Sequence, residues 1–268
     1  MDTTARSNAQ ALWNASPCGA VEGDPDSLDY FLKVERERYD QQSWQKTYFR
    51  YQDFAGKNVL ELGIGHGTDL AQFAKAGAVC SGLDITDRHL ALTARNFTLR
   101  GLHVDLHKGD ATAMPFADAS FDCVYSFGVV HHIPEIEKVV SEIRRVLKPG
   151  GIAMIAVYHK WSGFWLVAKL LVGGILGGRL ARMGMDGLKA TIETGADGIV
   201  IKPYVRLYSR GDLRRLFVQF KILDISAFQF HLGHILPLNL RKELDWLNLP
   251  MAGLFGWYVT IKAQKPAD

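Results

Sequence analysis

One short run constrains the chain more than any other: Glu61-Leu62-Gly63-Ile64-Gly65-His66-Gly67. It follows an apolar stretch, Asn58 to Leu62, and precedes Thr68 and Asp69, whose side chains suit a helix N-terminus. Glycines at alternate positions have no Cβ, so the backbone can turn sharply and bring its amides close to a ligand. Strand, glycine turn and helix in that order open a parallel α/β sheet. The GxGxG spacing is tighter than the GxGxxG that seats a pyrophosphate, and suits an amino-acid tail. Glu61 adds an acid where a cationic ligand would lie, and Asp84, at the end of the next strand, can accept hydrogen bonds from both hydroxyls of a ribose. His66, between the last two glycines, reads as a bystander.

Strand and helix signals alternate from Lys57 onward. The first strand is Asn58 to Leu62, followed by a helix from Thr68 to Gly77. The second strand runs from Ala78 to Leu83, with a helix from Asp87 to Arg100 behind it. Val104 to Lys108 and Phe121 to Phe127 are the third and fourth strands. Ile136, Val139, Val140, Ile143, Val146 and Leu147 then recur at helical spacing. Lys148-Pro149-Gly150-Gly151 ends that helix, and Ile152 to Tyr158 is an apolar fifth strand of the kind buried in the middle of a sheet. Ser209 starts a helix to Phe217, with strands from Lys221 to Phe230 and Trp257 to Lys262. The expected fold is a doubly wound, Rossmann-like, mostly parallel seven-stranded α/β sheet with an inserted helical cap.

The expected division is an N-terminal helical lid at 1–56, a binding core at 57–159, the inserted cap at 160–205 and the C-terminal part of the sheet at 206–268. The lid concentrates aromatics from Tyr30 to Phe54, and residues 1–27 read as loose. At 268 residues the chain fits one α/β domain with insertions, or one domain plus a small cap, better than two full domains. Hydrophobic residues make up 48% and charged residues 22%, a folded balance rather than a disordered one. The net charge of +3, from 31 basic and 28 acidic residues, does not suggest a nucleic-acid partner. Cys18, Cys80 and Cys123 form no CxxC pair and have no histidine at ligand spacing, so neither disulfides nor a metal site are expected and a cytoplasmic setting is. The N-terminus lacks the pattern of a secretory signal. The most apolar stretch, Gly163 to Gly178, is interrupted by Lys169 and is shorter than the ~20 residues that span a bilayer.

Three segments, VLELGIGHGTDLAQFAKAGA, KGDATAMPFADASFDCVYSFGVVHH and EIRRVLKPGG, resemble the class I S-adenosylmethionine-dependent methyltransferases, particularly the small-molecule group with the ubiquinone and menaquinone biosynthesis enzymes. The resemblance implies S-adenosyl-L-methionine as cofactor and S-adenosyl-L-homocysteine as product. It implies that Glu61, Gly63, Gly65, Gly67, Asp84 and Ile85 hold the methionine and ribose, that Asp110 and Ala111 face the adenine, and that Phe127 and Gly128 run beside the methionine moiety. His131 and His132, after the fourth strand, are candidates for a general base, with His131 slightly favoured; both also fit helix start and packing. Trp161 and Trp165 in the cap, Tyr48 in the lid, and Tyr204 with Arg206 where the chain returns to the sheet are acceptor-pocket candidates. The apolar cap suits core packing, an apolar pocket or peripheral membrane contact alike. The expected partner is a small, moderately apolar acceptor methylated on oxygen, carbon or nitrogen, bound by a monomer or homodimer. A macromolecular substrate is the alternative, although Ser126-Phe127-Gly128-Val129 stands where a nucleic-acid methyltransferase tetrad would be; so is a non-transfer reaction on the same fold.

Overall fold

A computed structural model describes residues 3–194, 203–231 and 248–267. β1 (Asn58–Leu62), β2 (Val79–Asp84), β3 (Asp105–Lys108), β4 (Phe121–Phe127), β5 (Leu147–Tyr158), β6 (Lys221–Phe228) and β7 (Tyr258–Gln264) form one sheet in the order β3-β2-β1-β4-β5-β7-β6. β1 to β5 pair in parallel, and β7 runs antiparallel to both β5 and β6. The strand order reverses between β1 and β4, which opens a crevice at their carboxyl ends.

Side chains alternate across the sheet because successive Cβ atoms of a strand point to opposite faces. Leu60, Leu62 and Val124 face one core with the apolar stripe of α6 (Ile136–Val146) and with Leu213 of α8 (Arg210–Leu216). Val59, Cys123 and Tyr125 face the other, with Leu70 and Phe73 of α4 (Thr68–Lys75) and Phe97 of α5 (Asp87–Leu99). α6 buries Ile136, Val139, Val140, Ile143 and Val146, each worth about 1.5–3 kcal/mol of transfer free energy. Helix starts follow local chemistry: Thr86 caps α5 through the His89 amide, and Ser209 with Asp212 closes a capping box on α8.

Three expectations change. Of residues 3–27, α1 (Thr3–Ala15) is not loose, because it is tied down by Gln10 Nε2, which donates to the Ile85 carbonyl at 2.9 Å, and by Arg88, whose amide donates to Asn14 Oδ1 at 3.3 Å. α2 (Leu28–Gln41), α3 (Trp44–Phe49) and a 3₁₀ turn at Tyr51–Phe54 follow it. β5 begins at Leu147 rather than Ile152: Leu147 pairs with Phe121 across a bulge, and Lys265 pairs with Gly150 and Gly151. The proline thus ends the helix without ending the pairing. β7 extends to Gln264 by pairing with β6 as well as β5. The insertion holds a π-helix, Phe164–Leu176, and α7 (Arg179–Thr194), kinked at Gly184; α9 (Asn248–Phe255) precedes β7. Residues 195–202 of the expected cap and 232–247 of the C-terminal part lie outside the described residues.

Candidate active site

The turn between β1 and α4 uses its three glycines for different reasons. All have positive φ, at 73°, 55° and 70°. A Cβ on Gly63 would lie 2.4 Å from Val129 Cγ2, and one on Gly67 would lie 2.7 Å from Thr93 Cγ2, so these two let neighbouring segments close in. A Cβ on Gly65 would meet nothing within 4 Å. That open side belongs to a cavity of about 510 Å³ at the carboxyl ends of β1, β2 and β4.

Nearly all of the expected cofactor residues line this cavity: Glu61, Gly63, Gly65, Asp84, Ile85, Asp110, Ala111, Phe127 and Gly128. Gly67 does not, since it packs on Thr93 behind the turn. Seven lining carboxyl groups, Glu37, Glu61, Asp69, Asp84, Asp110, Glu135 and Glu193, face a single arginine, Arg38. Such a wall favours a cationic ligand.

The two principal acids are in opposite states. Burial lifts the Glu61 pKa well above the ordinary carboxylate range, with Asp69 adding to the rise and Arg38 opposing it. Glu61 Oε2 is buried with no hydrogen-bond partner, an unsatisfied polar atom of a residue in the cavity wall. Burial alone would also raise Asp84, but the hydrogen bond and charge of His89, together with Thr86, bring it below its usual value. Asp84 Oδ1 accepts from the Thr86 amide at 2.9 Å and hydroxyl at 2.8 Å; Oδ2 accepts from the Ile64 amide at 3.0 Å and meets His89 Nδ1 at 3.2 Å. Asp110 Oδ1 accepts from the amide and hydroxyl of Thr112, both at 2.8 Å, which fixes the turn after β3.

The N-terminal helices cover the crevice. Arg38 of α2 forms an ion pair with Asp69 of α4, and the same carboxylate accepts from Tyr39 and Tyr125 hydroxyls, each at 2.8 Å. The Arg38 guanidinium also sits 4.5 Å over the Phe127 ring. Tyr30 Oη and His66 Nε2 share a hydrogen bond at 3.0 Å; burial, with the charge of His89, lowers the His66 imidazole to about 4, so it is neutral at physiological pH. His66, read as a bystander, therefore joins lid to turn and lines the cavity.

The structure separates the two candidate bases. His131 is fully buried between His132 and Tyr158, does not line the cavity, and is pushed well below the usual imidazole value by burial and by His132. His132 lines the cavity. Its Nδ1 lies 2.8 Å from the Tyr204 carbonyl, which can only accept, so Nδ1 is the donor there. Glu193 Oε1, from the end of α7, is 3.7 Å from His132 Nε2. One donor atom each from His131, His132 and Glu193 lies within 4.8 Å of the others, the one grouping among the described residues with the composition to hold a metal ion. The expectation that no ligand cluster stands near the site is corrected here: Glu193 is remote in sequence, and the fold brings it to the histidines.

None of the five acceptor candidates lines the cavity. Tyr48 donates to Asp224 Oδ2 at 2.6 Å under Lys262. Trp165 is buried in the core, and Trp161 is half exposed beside Lys160. Tyr204 contributes its carbonyl to His132, and Arg206 lies over Tyr208, 3.8 Å from Glu137. Trp13, Val34, Gln41, Gln42, Tyr158 and Tyr258 line the cavity instead. Tyr158 ends β5 and Tyr258 begins β7, so antiparallel pairing puts both at the crevice edge.

Residues 60–155 match the family described as a methyltransferase domain. Over 134 residues, 49% of this chain and 33% of the relative, the chain is 37% identical to a sterol 24-C-methyltransferase of Gibberella zeae. Over 135 residues, 50% of this chain and 48% of the relative, it is 33% identical to a fatty-acid O-methyltransferase of Mycolicibacterium smegmatis. The chain thus spans about half or less of the length of these relatives. The fold matches that of an S-adenosylmethionine-dependent methyltransferase from Mesorhizobium loti with a TM-score of 0.58 at 16% identity, over 82% of this chain and 97% of that one.

Proposed function

We propose that this chain, which carries a class I S-adenosylmethionine-dependent methyltransferase domain, transfers the methyl group of S-adenosylmethionine to a small, moderately apolar metabolite, on oxygen, carbon or nitrogen. The observation that carries this reading is the continuity of one cavity from the glycine turn to His132 and Glu193. S-adenosylmethionine supplies an electrophilic methyl when bound. Glu61 and the acidic wall attract its cationic end, Asp84 and Ile85 take the ribose, Asp110 and Ala111 flank the adenine, and Phe127 and Gly128 border the methionine. Alignment of donor and acceptor can contribute a large part of the acceleration, up to about 7–11 kcal/mol for well-oriented reactants. His132 Nε2 accepts the proton released by a hydroxyl or activated carbon, and Glu193 stabilises the imidazolium that results.

In the same reading, residues 1–56 act as a lid and 160–205 as a cap that exclude water from the crevice. A cytoplasmic setting, a monomeric or homodimeric state and no nucleic-acid partner belong to it as well, and a peripheral membrane contact is compatible with it. The test is release of S-adenosylhomocysteine across apolar alcohols, phenols, fatty acids and sterols, with product identified by mass. His132→Ala should lower kcat by about 10²–10⁴-fold with S-adenosylhomocysteine affinity unchanged. Turnover equal to the parent protein removes His132 as base. No S-adenosylhomocysteine affinity in the parent protein ends the reading.

A further inference from the structure

Six of the fourteen exposed large hydrophobic side chains among the described residues fall between residues 160 and 194. Four of them, Leu171, Val172, Ile175 and Leu176, form one stripe on the π-helix and are 44–74% exposed; Trp161 precedes that helix and Met185 lies on α7. The opposite face is closed. Trp165, Gly174 and Leu188 are buried, and a Cβ on Gly174 would lie 2.7 Å from Leu188 Cδ2, so the π-helix and α7 are in close contact. Phe164 packs edge-on against Trp257 at 4.7 Å, and Trp257 stacks on Tyr158 at 4.3 Å. Tyr158 and Glu193 line the cavity. The hairpin thus shows one face to solvent and forms part of the cavity wall with the other.

Charge indicates what the outer face meets. Residues 160–194 carry Lys160, Lys169, Arg179, Arg182 and Lys189 against Asp186 and Glu193, five minus two, or +3. That equals the +3 of the whole chain, so the remaining residues are neutral in sum. A second copy docked on this stripe by a two-fold axis would bring two such basic surfaces together. An anionic lipid surface would instead complement the charge and receive the apolar stripe. The π-helix has 13 residues, well short of the ~20 needed to cross a bilayer, and no helix among the described residues is long and apolar enough to do so. Trp161, with Lys160 5.2 Å over its ring, has the amphipathic character that favours the headgroup level.

We propose that the hairpin of the π-helix and α7 seats the protein on an anionic lipid bilayer, its outer stripe entering the headgroup boundary and its inner face walling the cavity. An apolar acceptor is then met at the membrane. Only that last step rests on the methyl-transfer reading; the lipid contact does not.

The full chain is cosedimented with vesicles of phosphatidylcholine alone and of an equal mixture with phosphatidylserine, at low and high salt. Binding to the mixture, weak binding to phosphatidylcholine and loss with salt are expected. Ile175→Asp combined with Leu176→Asp changes only exposed side chains and should cut the partition about tenfold or more, with thermal unfolding and S-adenosylhomocysteine affinity unchanged. No sedimentation with either vesicle, equal sedimentation with both, or full binding by the double variant overturns the proposal. So does a dimer in light scattering that the double variant dissociates while vesicles fail to bind, which would make the stripe a self-association surface. Vesicle binding without S-adenosylhomocysteine affinity supports the lipid contact and removes the methyl-transfer reading; the converse does the reverse.

Discussion

Asp84 is the position at which the cofactor assignment is most exposed to test. A carboxylate has about four lone-pair positions, and in this structure two donors reach each oxygen: Thr86 twice at Oδ1, Ile64 and His89 at Oδ2. A ribose therefore binds by exchange. The His89 contact, at 3.2 Å, is the longest of the four and, with the Thr86 hydroxyl, one of the two that can be released without moving backbone. A hydroxyl replacing it gains only the difference between two bonds to the same acceptor, and a second, with no vacant lone pair left, shares one in a bifurcated bond, so that the two hydroxyls together gain about one bond. At about 1.5–3 kcal/mol for a bond to a charged group, Asp84→Ala should cost one net bond, not two. That is about 10–100-fold in S-adenosylhomocysteine affinity by calorimetry, with thermal unfolding reporting the separate cost of leaving the Ile64 and Thr86 amides unpaired. His89→Ala frees the acceptor and should leave affinity equal or tighter. His89 also helps to depress the Asp84 pKa, so its contribution to stability, present above the unfolded value of about 3.9 and lost as pH falls through the folded one, should disappear earlier on acidification in this variant. Unchanged affinity in Asp84→Ala, or an equal loss in His89→Ala, would refute the exchange.

Glu61 makes the opposite demand on pH. Its folded pKa is raised, so the ligand-free protein should lose stability as pH rises from the ordinary carboxylate value through the raised one, while affinity for a cationic cofactor rises over the same window. Glu61→Gln should flatten both profiles, and calorimetry or thermal shift against pH with an unflattened response would reject the role. Gly65→Ala should cost only about 1–2 kcal/mol of backbone strain, because its side of the turn is open, yet weaken S-adenosylhomocysteine by filling the cavity. Gly63→Ala should unfold the protein or nearly so, since Val129 stands 2.4 Å from the new atom; equal effects in the two variants on stability and affinity would contradict the division of labour in the turn.

The sheet could be read from the sequence because its rules are local. Alternating strand and helix periods, the cap at Ser209 and the glycine turn each act within a few residues, and they placed β4 to the residue, whereas Thr68 and Asp69 do not cap α4, whose N-cap is Gly67 with no side-chain bond. The cofactor side of the cavity followed, since strand ends carry it. The acceptor side did not, because its members are decided by packing between distant segments. Trp13 is brought in by a helix with no acidic or basic residue favouring its ends, and the Gln10 to Ile85 bond that holds it spans 75 positions. Tyr158 and Tyr258 belong to apolar strands and look like core until antiparallel pairing sets them at the rim. Conversely, Trp161, Trp165 and Tyr48 are large aromatics in the expected segments, and each found its partners in the core or at the surface instead.

The position of β7 has a consequence for how the molecule is made. It follows β6 in the chain but lies between β5 and β6, so neither of those strands can pair on that side until residues 258–264 have left the ribosome. Until then, β5, whose segment from Ile152 to Tyr158 is largely apolar, is an open template for the strand of a neighbouring nascent chain. The cavity rim waits on the same event, because Tyr258 arrives with that strand. Synthesis therefore passes through a stage in which the crevice lacks the side that Tyr258 closes, and a chaperone that shields one strand edge would cover the vulnerable interval.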